Sequence, residues 1–278
     1  MLPRLSKATG WRLFVRATLA RMYPRVIGAN RERTWVFFEV LLPCLSLTAY
    51  VLVYRSLHAP PALVSFVVVG GAMGAFWANV MWAMANQLYW EKETGNLALY
   101  IIAPMSMMAV LLGMALGGMF NAATRALAIV VVGALLFDVR FSTAHLPMLV
   151  LTCVLTMTAL YGMGMLFASL FLLFGRETWH LVNLAQEPVH LCAGMYFPVK
   201  SLGVWVAAAA SVIPLTLGLD AIRQLTIADG PTLGLMAVPW ELLGLGFLVA
   251  IFLSSARFML RHMERLAIAE GRLTQSRS

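Results

Sequence analysis

Six long apolar runs, parted by short polar breaks, set the pattern of this chain. A helix crossing a bilayer needs about 20 mostly apolar residues. The runs at roughly 36–54, 62–85, 105–137, 146–174, 179–197 and 239–256 reach or approach that length. A further apolar piece, "VWVAAAASVIPLTLGL" at 204–219, is short and is broken by Pro214. It predicts a segment that dips into the membrane or lies on its outer face, with its backbone shielded by protein. The pattern as a whole predicts an all-α membrane protein of six transmembrane helices. It divides the chain into an N-terminal segment (1–34), a six-span membrane domain (35–256) and a basic tail (257–278).

Ahead of the first run, Trp11, Val15, Thr18, Leu19, Met22 and Val26 fall on one helical stripe flanked by arginines. That is the pattern of an amphipathic helix in the interface plane, apolar face down and basic groups near lipid phosphates. It is equally the pattern of a basic tail that sets topology. This N-terminus has no uninterrupted apolar core of the length a cleavable signal needs, so insertion is expected to rely on the internal spans.

Composition agrees with the pattern. Of the 278 residues, 61% are hydrophobic and only 12% are charged, against about 25% charged in ordinary globular domains. The formal net charge of +8 is read as topological, and nucleic-acid binding is set aside because no basic patch stands on a soluble segment. Eight Lys and Arg precede the first span and five follow the sixth. Lys92 and Arg176 lie in loops on that same side, whereas the opposite loops hold four. The imbalance predicts a multi-pass protein of the cell membrane with both termini in the cytoplasm. Cys44, Cys153 and Cys192 each sit in an apolar run, without a CxxC pair, and read as small buried hydrophobes.

Between the second and third runs the chain reads "YWEKETGNLALYIIAPMS", residues 89–106. This predicts a short cytoplasmic helix parallel to the membrane, with an apolar side against the spans and Glu91, Lys92 and Glu93 able to face the cytosol. Gly95 permits a bend, and Pro104 suits the first turn of the next helix. A solvated loop is the plainer reading. The order of residues is more particular, however: Glu91, Lys92, Glu93, Gly95, Leu97, Leu99, Ala103 and Pro104 resemble the cytoplasmic strip of ABC type-2 transporter permeases. Asn96 and Ala98 depart from that pattern. A second stretch, 194–225, resembles the outer segment of the same family through Phe197, Pro198, Pro214, Leu215, Thr216, Asp220 and Arg223.

The resemblance implies that the strip is a coupling helix that docks on an ATP-binding subunit. That role would fall on Trp90, Glu91, Lys92, Glu93, Gly95, Leu97 and Pro104. It also implies an outer re-entrant segment between the fifth and sixth spans, formed around Phe197, Pro198, Pro214, Asp220 and Arg223. Because the family's second and fifth spans line a central path, Phe76, Asn79, Leu191 and Met195 become transport-path candidates. The implied partners are two copies of a separate ATP-binding cassette subunit, a second permease, identical or homologous, and membrane lipid; no nucleic acid is expected.

The chain has no GxxxxGK[ST] loop, so ATP and Mg are expected on the partner subunit and no cofactor on this chain. It has no HExxH and no Gly-x-Ser elbow, and its five histidines are scattered, which disfavours an enzyme. The expected function is export of a hydrophobic or amphipathic drug, a lipid or a glycan-lipid by ATP-driven alternating access. An ABC-like permease in cofactor or cytochrome assembly is one alternative. An ion-coupled carrier is another; it would use Glu187 and His190, three residues apart on one face of the fifth run. Arg125 and Glu241 are further charges within or beside apolar runs, each read first as structural. The GxxxG pairs Gly70/Gly74 and Gly113/Gly117 are read as helix-packing sites.

Overall fold

The computed structural model describes residues 10–31, 33–103, 105–139, 141–142, 144–174, 178–227 and 234–270. Among them the regular structure is entirely helical, as the apolar runs predict. The helices are α1 (Trp11–Arg31), α2 (Arg33–Ser56), α3 (Pro61–Ala78), α4 (Gln87–Glu93), α5 (Asn96–Ile102), α6 (Met107–Phe137), α7 (Leu146–Phe174), α8 (Thr178–Cys192), α9 (Val204–Ala210), α10 (Pro214–Thr226) and α11 (Val238–Glu270). A π-helical turn, Asn79–Met84, continues α3 toward α4. Pro61 opens α3 at a position where its missing N–H costs no hydrogen bond.

Five described segments are long and apolar enough to cross a membrane: Val36–Ser56, Pro61–Glu93, Met107–Phe137, Leu146–Leu170 and Val238–Met263. The pair α9 and α10, bent by 108° at its break, raises the number to six if it is counted as one span. Two features differ from the sequence reading. The fifth run yields α8, only 15 residues and about 22 Å long, where about 20 residues make a span. It ends because Gly194 takes φ +70°, a left-handed conformation that glycine adopts without Cβ strain, and because Pro198 follows. The second segment, in contrast, overruns the bilayer: α3, the π turn and α4 form one stretch of 33 residues.

α3 is the centre of the bundle. Val67, Val68, Trp77, Val80 and Met81 along it and its π turn are buried. It packs on α2, α6 and α10, while α7 and α11 pair along their length and α10 wedges between them and α3. Small residues set the closest approaches. A Cβ on Gly113 would overlap Thr18 O, and one on Gly117 would lie 3.1 Å from Met22 O. Thr18 and Met22 are four residues apart, as are the two glycines, so α1 and α6 run side by side in the same direction. The GxxxG pair of the third run is therefore a packing site, and its partner is α1. This modifies the expected helix in the interface plane: one edge of α1 rests on α6. Trp11 and Leu19 of the predicted stripe stay exposed, Thr18 is buried, and Leu19, Tyr23 and Ile27 form the outward apolar edge.

Candidate functional site

The strip between the second and third runs folds as a helical hairpin. α4 prolongs α3, the chain turns at Gly95 with φ +77°, and α5 folds back on α4. A left-handed φ at this position selects glycine. In place of the one short helix expected, the strip holds two, and the first of them continues the candidate span that begins at Pro61. The next helix opens at Met107, with Ser106 as its N-cap; Ser106 Oγ accepts from Met108 N at 3.2 Å. The first-turn role foreseen for Pro104 is thus taken by residues further on, and Pro104 itself lies outside the described residues.

The hairpin has a fixed inner face and an open outer one. Glu91, foreseen as facing the cytosol, is only 5% exposed. It forms an ion pair with Arg21 of α1, and Gln87 Nε2 donates to its Oε1 at 2.8 Å. Tyr100 Oη donates to its Oε2 at 3.0 Å. Burial raises the Tyr100 phenol above its ordinary pKa, and the Arg21 guanidinium pulls it partly back. That guanidinium also lies 5.3 Å from the centre of the Tyr100 ring. Gln87 extends the network, since its Oε1 accepts from Arg25 Nη1 at 2.6 Å. Leu97, 1% exposed, anchors α5 to the core. On the outer face stand Trp90, Leu99 and Ile102, exposed by 56%, 63% and 81%, together with exposed Glu93 and Thr94. Lys92 is half-buried.

Beside the hairpin lies an open cavity of about 720 Å³ between α1, α2, the π turn, α4 and α6. Arg21, Arg25, Arg125, Asn79 and Asn121 line it, with Trp82 and Trp90 at its wall. Glu39 also lines it and forms an ion pair with Arg125, which gives that intramembrane arginine the structural partner the sequence reading put first. Asn79, a transport-path candidate, has its Oδ1 accepting from Tyr161 Oη at 3.1 Å.

At the other end of α3, Arg223 is 1% exposed and ties three segments together. Its guanidinium donates to Gly194 O at 2.5 Å, Met195 O at 2.6 Å and Phe66 O at 2.8 Å. It also sits 3.5 Å from the centre of the Phe66 ring. The arginine thereby satisfies the carbonyls of Gly194 and Met195 in the irregular link just past α8 and ties that link to α3 through Phe66 O. A Cβ on Gly70 would overlap Met195 O, so this small residue makes room for the same junction. Asp220 accepts from Leu235 N at 2.7 Å and from Gln224 Nε2 at 3.0 Å. Gln224 Nε2 also reaches the buried Glu241 at 3.2 Å. Pro214 occupies the first turn of α10, and Phe197 and Pro198 form the half-buried link after α8.

The remaining candidates are scattered. Met195 is buried under Arg223, Leu191 is exposed, Phe76 and His190 are half-buried, and the side chain of Glu187 lies outside the described residues. Among the described path candidates only Asn79 lines the cavity. Sequence reading passed over Arg21, Arg25, Gln87 and Tyr100. A signal existed in the i, i+4 spacing of Arg21 with Arg25 and of Gln87 with Glu91, which aligns two like-sized polar edges.

The family model described as ABC-2 type transporter matches residues 19–227, from α1 through α10. That is most of the chain, and the chain belongs to this family. It is a multi-pass membrane protein and a permease subunit of an ABC transporter, a class that works with an ATP-binding cassette subunit. No curated protein matches the chain.

Proposed function

We propose that this permease is the membrane half of an ATP-driven exporter in which the α4–α5 hairpin receives the stroke of a separate ATP-binding subunit. The observation that carries the reading is the two-sided hairpin within the family match. Its inner face is tied to α1 by Glu91, and its outer face presents Trp90, Glu93, Leu99 and Ile102. A groove on a partner needs such an outward face, and force transmission needs an inner one that does not slide. Because α4 continues α3 as one long helical stretch, a push on the hairpin moves the helix at the centre of the bundle.

In this reading the hairpin end and both termini are cytoplasmic, as the Lys and Arg imbalance supports. Two permeases and two ATP-binding subunits form the complex, and ATP and Mg bind on the latter. The permease pair alternates access to the two sides as the ATP-binding pair closes and reopens. The apolar interior, rich in Met along the π turn, suits a hydrophobic or amphipathic cargo. Leu99→Asp tests the reading. It should leave insertion and expression intact and abolish transport-coupled ATP hydrolysis in the reconstituted complex. Full coupling in that variant would refute the assignment of the hairpin's outer face.

A further inference from the structure

The cavity beside the hairpin has a chemistry that its neighbours do not exhaust. Three guanidinium groups face it, from Arg21, Arg25 and Arg125. Glu91 is paired with Arg21 and Glu39 with Arg125. Among the described residues no carboxylate pairs with Arg25. Its side chain donates to one neutral acceptor, Gln87 Oε1, although a guanidinium carries five N–H donors. The site is built to hold this cation in place. A Cβ on Gly117 would lie 3.0 Å from Arg25 Cβ, so the glycine lets Arg25 sit close against α6. Asn121 Nδ2 donates to Arg25 O at 3.2 Å, and Asn30 Nδ2 donates to Asn121 Oδ1 at 3.1 Å. Burial pulls the Arg25 guanidinium down to about 10; Tyr161 opposes the shift, and the like charges of Arg21 and Arg125 add to it. It remains a cation at neutral pH, and a bound anion would offset the cost of keeping it charged.

We infer that this cavity binds a phosphate-bearing anion, with Arg25 as its principal ligand and Arg21 and Arg125 at its flanks. The fork of a guanidinium matches a tetrahedral oxyanion better than the point charge of an ammonium does. The volume of about 720 Å³ exceeds one phosphate and admits a head group with its attached polar parts. The indole of Trp82 suits a boundary between head groups and acyl chains. The source of the phosphate is either the head group of an amphiphile or a soluble phosphoanion, and both share this chemistry. The inference stands whether or not the chain couples to an ATPase, so failure of either reading leaves the other intact.

The test uses the purified full chain in detergent and titrates it with dioctanoyl phosphatidic acid, dioctanoylglycerol and inorganic phosphate. The phosphatidic acid should bind, and Arg25→Gln should weaken it about tenfold or more, the usual scale for a lost charge-assisted hydrogen bond. Arg16→Gln removes the same charge from an exposed position on α1 and should change nothing. Competition by inorganic phosphate at the lipid's own affinity would support the site and assign it to soluble phosphoanions. Weak or no competition by phosphate, with phosphatidic acid far ahead of dioctanoylglycerol, would assign it to amphiphiles. Equal binding of dioctanoylglycerol, or equal behaviour of Arg25→Gln and Arg16→Gln, would overturn the inference. Should Arg25→Gln not fold, Gly28→Phe decides. Gly28 lines the cavity, and a Cβ there meets nothing within 4 Å, so a side chain can branch from this position without a clash at its root and take up space in the cavity. Undiminished phosphatidic acid binding in Gly28→Phe would likewise overturn the inference.

Discussion

Glu91→Ala separates a carboxylate that holds the hairpin from one that meets a partner. The substitution removes the acceptor for Arg21, Gln87 and Tyr100 together. Breaking one side of a fully buried ion pair costs about 3–5 kcal/mol. The Arg21 side chain is 25% exposed and the Glu91 side chain 6%, so water recovers part of the lost solvation, and we take about 2–3 kcal/mol. The loss falls on the hairpin and not on the whole bundle, because Glu91 connects α4 to α1 and α5 but not to the central spans. Hydrogen exchange of amides in 87–102 should therefore accelerate about 30- to 140-fold, while amides of α3 and α7 keep their protection. Glu93→Ala removes an exposed carboxylate and should shift exchange by less than about 0.5 kcal/mol. In a double-mutant cycle with Arg21→Ala, the second substitution should cost much less once the first is present, with a coupling of about 1–3 kcal/mol. Unchanged exchange across the hairpin in Glu91→Ala would refute the claim that this residue faces inward and fixes the strip.

Three further outcomes follow from the same contacts. Arg223→Leu should leave the carbonyls of Gly194 and Met195 without their side-chain donor, cut the tie to Phe66 O, and lower thermal stability by about 3 kcal/mol or more. Arg223→Lys should recover only part of that loss, since a single ammonium lacks the planar fork, and a thermal-shift series of the two checks it. Gly113→Leu should push α1 off α6 by overlap with Thr18 O and expose α1 to protease, whereas the same change at Gly28 should leave protease protection of α1 unchanged. Burial raises the Tyr100 phenol, so the hairpin gains stability from neutral Tyr100 below the unfolded pKa near 10 and loses it as pH rises through the higher folded value. Tyr100→Phe should remove that alkaline dependence, read by exchange of 87–102 across pH 9 to 11.

Much of the fold was legible because membrane helices are specified by length and apolarity alone. The runs at 36–54, 62–85, 105–137, 146–174 and 239–256 each became a helix of spanning length. The run at 179–197 did not, because hydropathy is blind to Gly194 entering the left-handed region and to Arg223, nearly 30 residues away, collecting the carbonyls of the link just past α8. The strip's place was readable from its order of charges, Gly95 and leucines. Its inner and outer faces were not. Glu91 and Glu93 look equivalent in sequence, and only the arrival of Arg21 from α1 decides which turns inward. The cavity was hidden for the same reason: the arginines of α1 read as the basic flank of an interfacial helix or as a topological tail until Gly113 and Gly117 bring that helix onto α6. Asp220 and Arg223 were marked by family resemblance, but their use as clamps on Leu235 and on the end of α8 depends on tertiary contacts.

The central claim is that the hairpin couples this permease to an ATP-binding subunit. The most direct measurement is isolation of the tagged protein from its native membranes in mild detergent, with identification of what co-purifies and an ATPase assay on the product. The account predicts a stoichiometric partner bearing a GxxxxGK[ST] loop, ATP hydrolysis by the complex, and loss of both from the Leu99→Asp preparation while the permease itself remains intact. A pure, intact permease with no such partner and no ATP hydrolysis would contradict it.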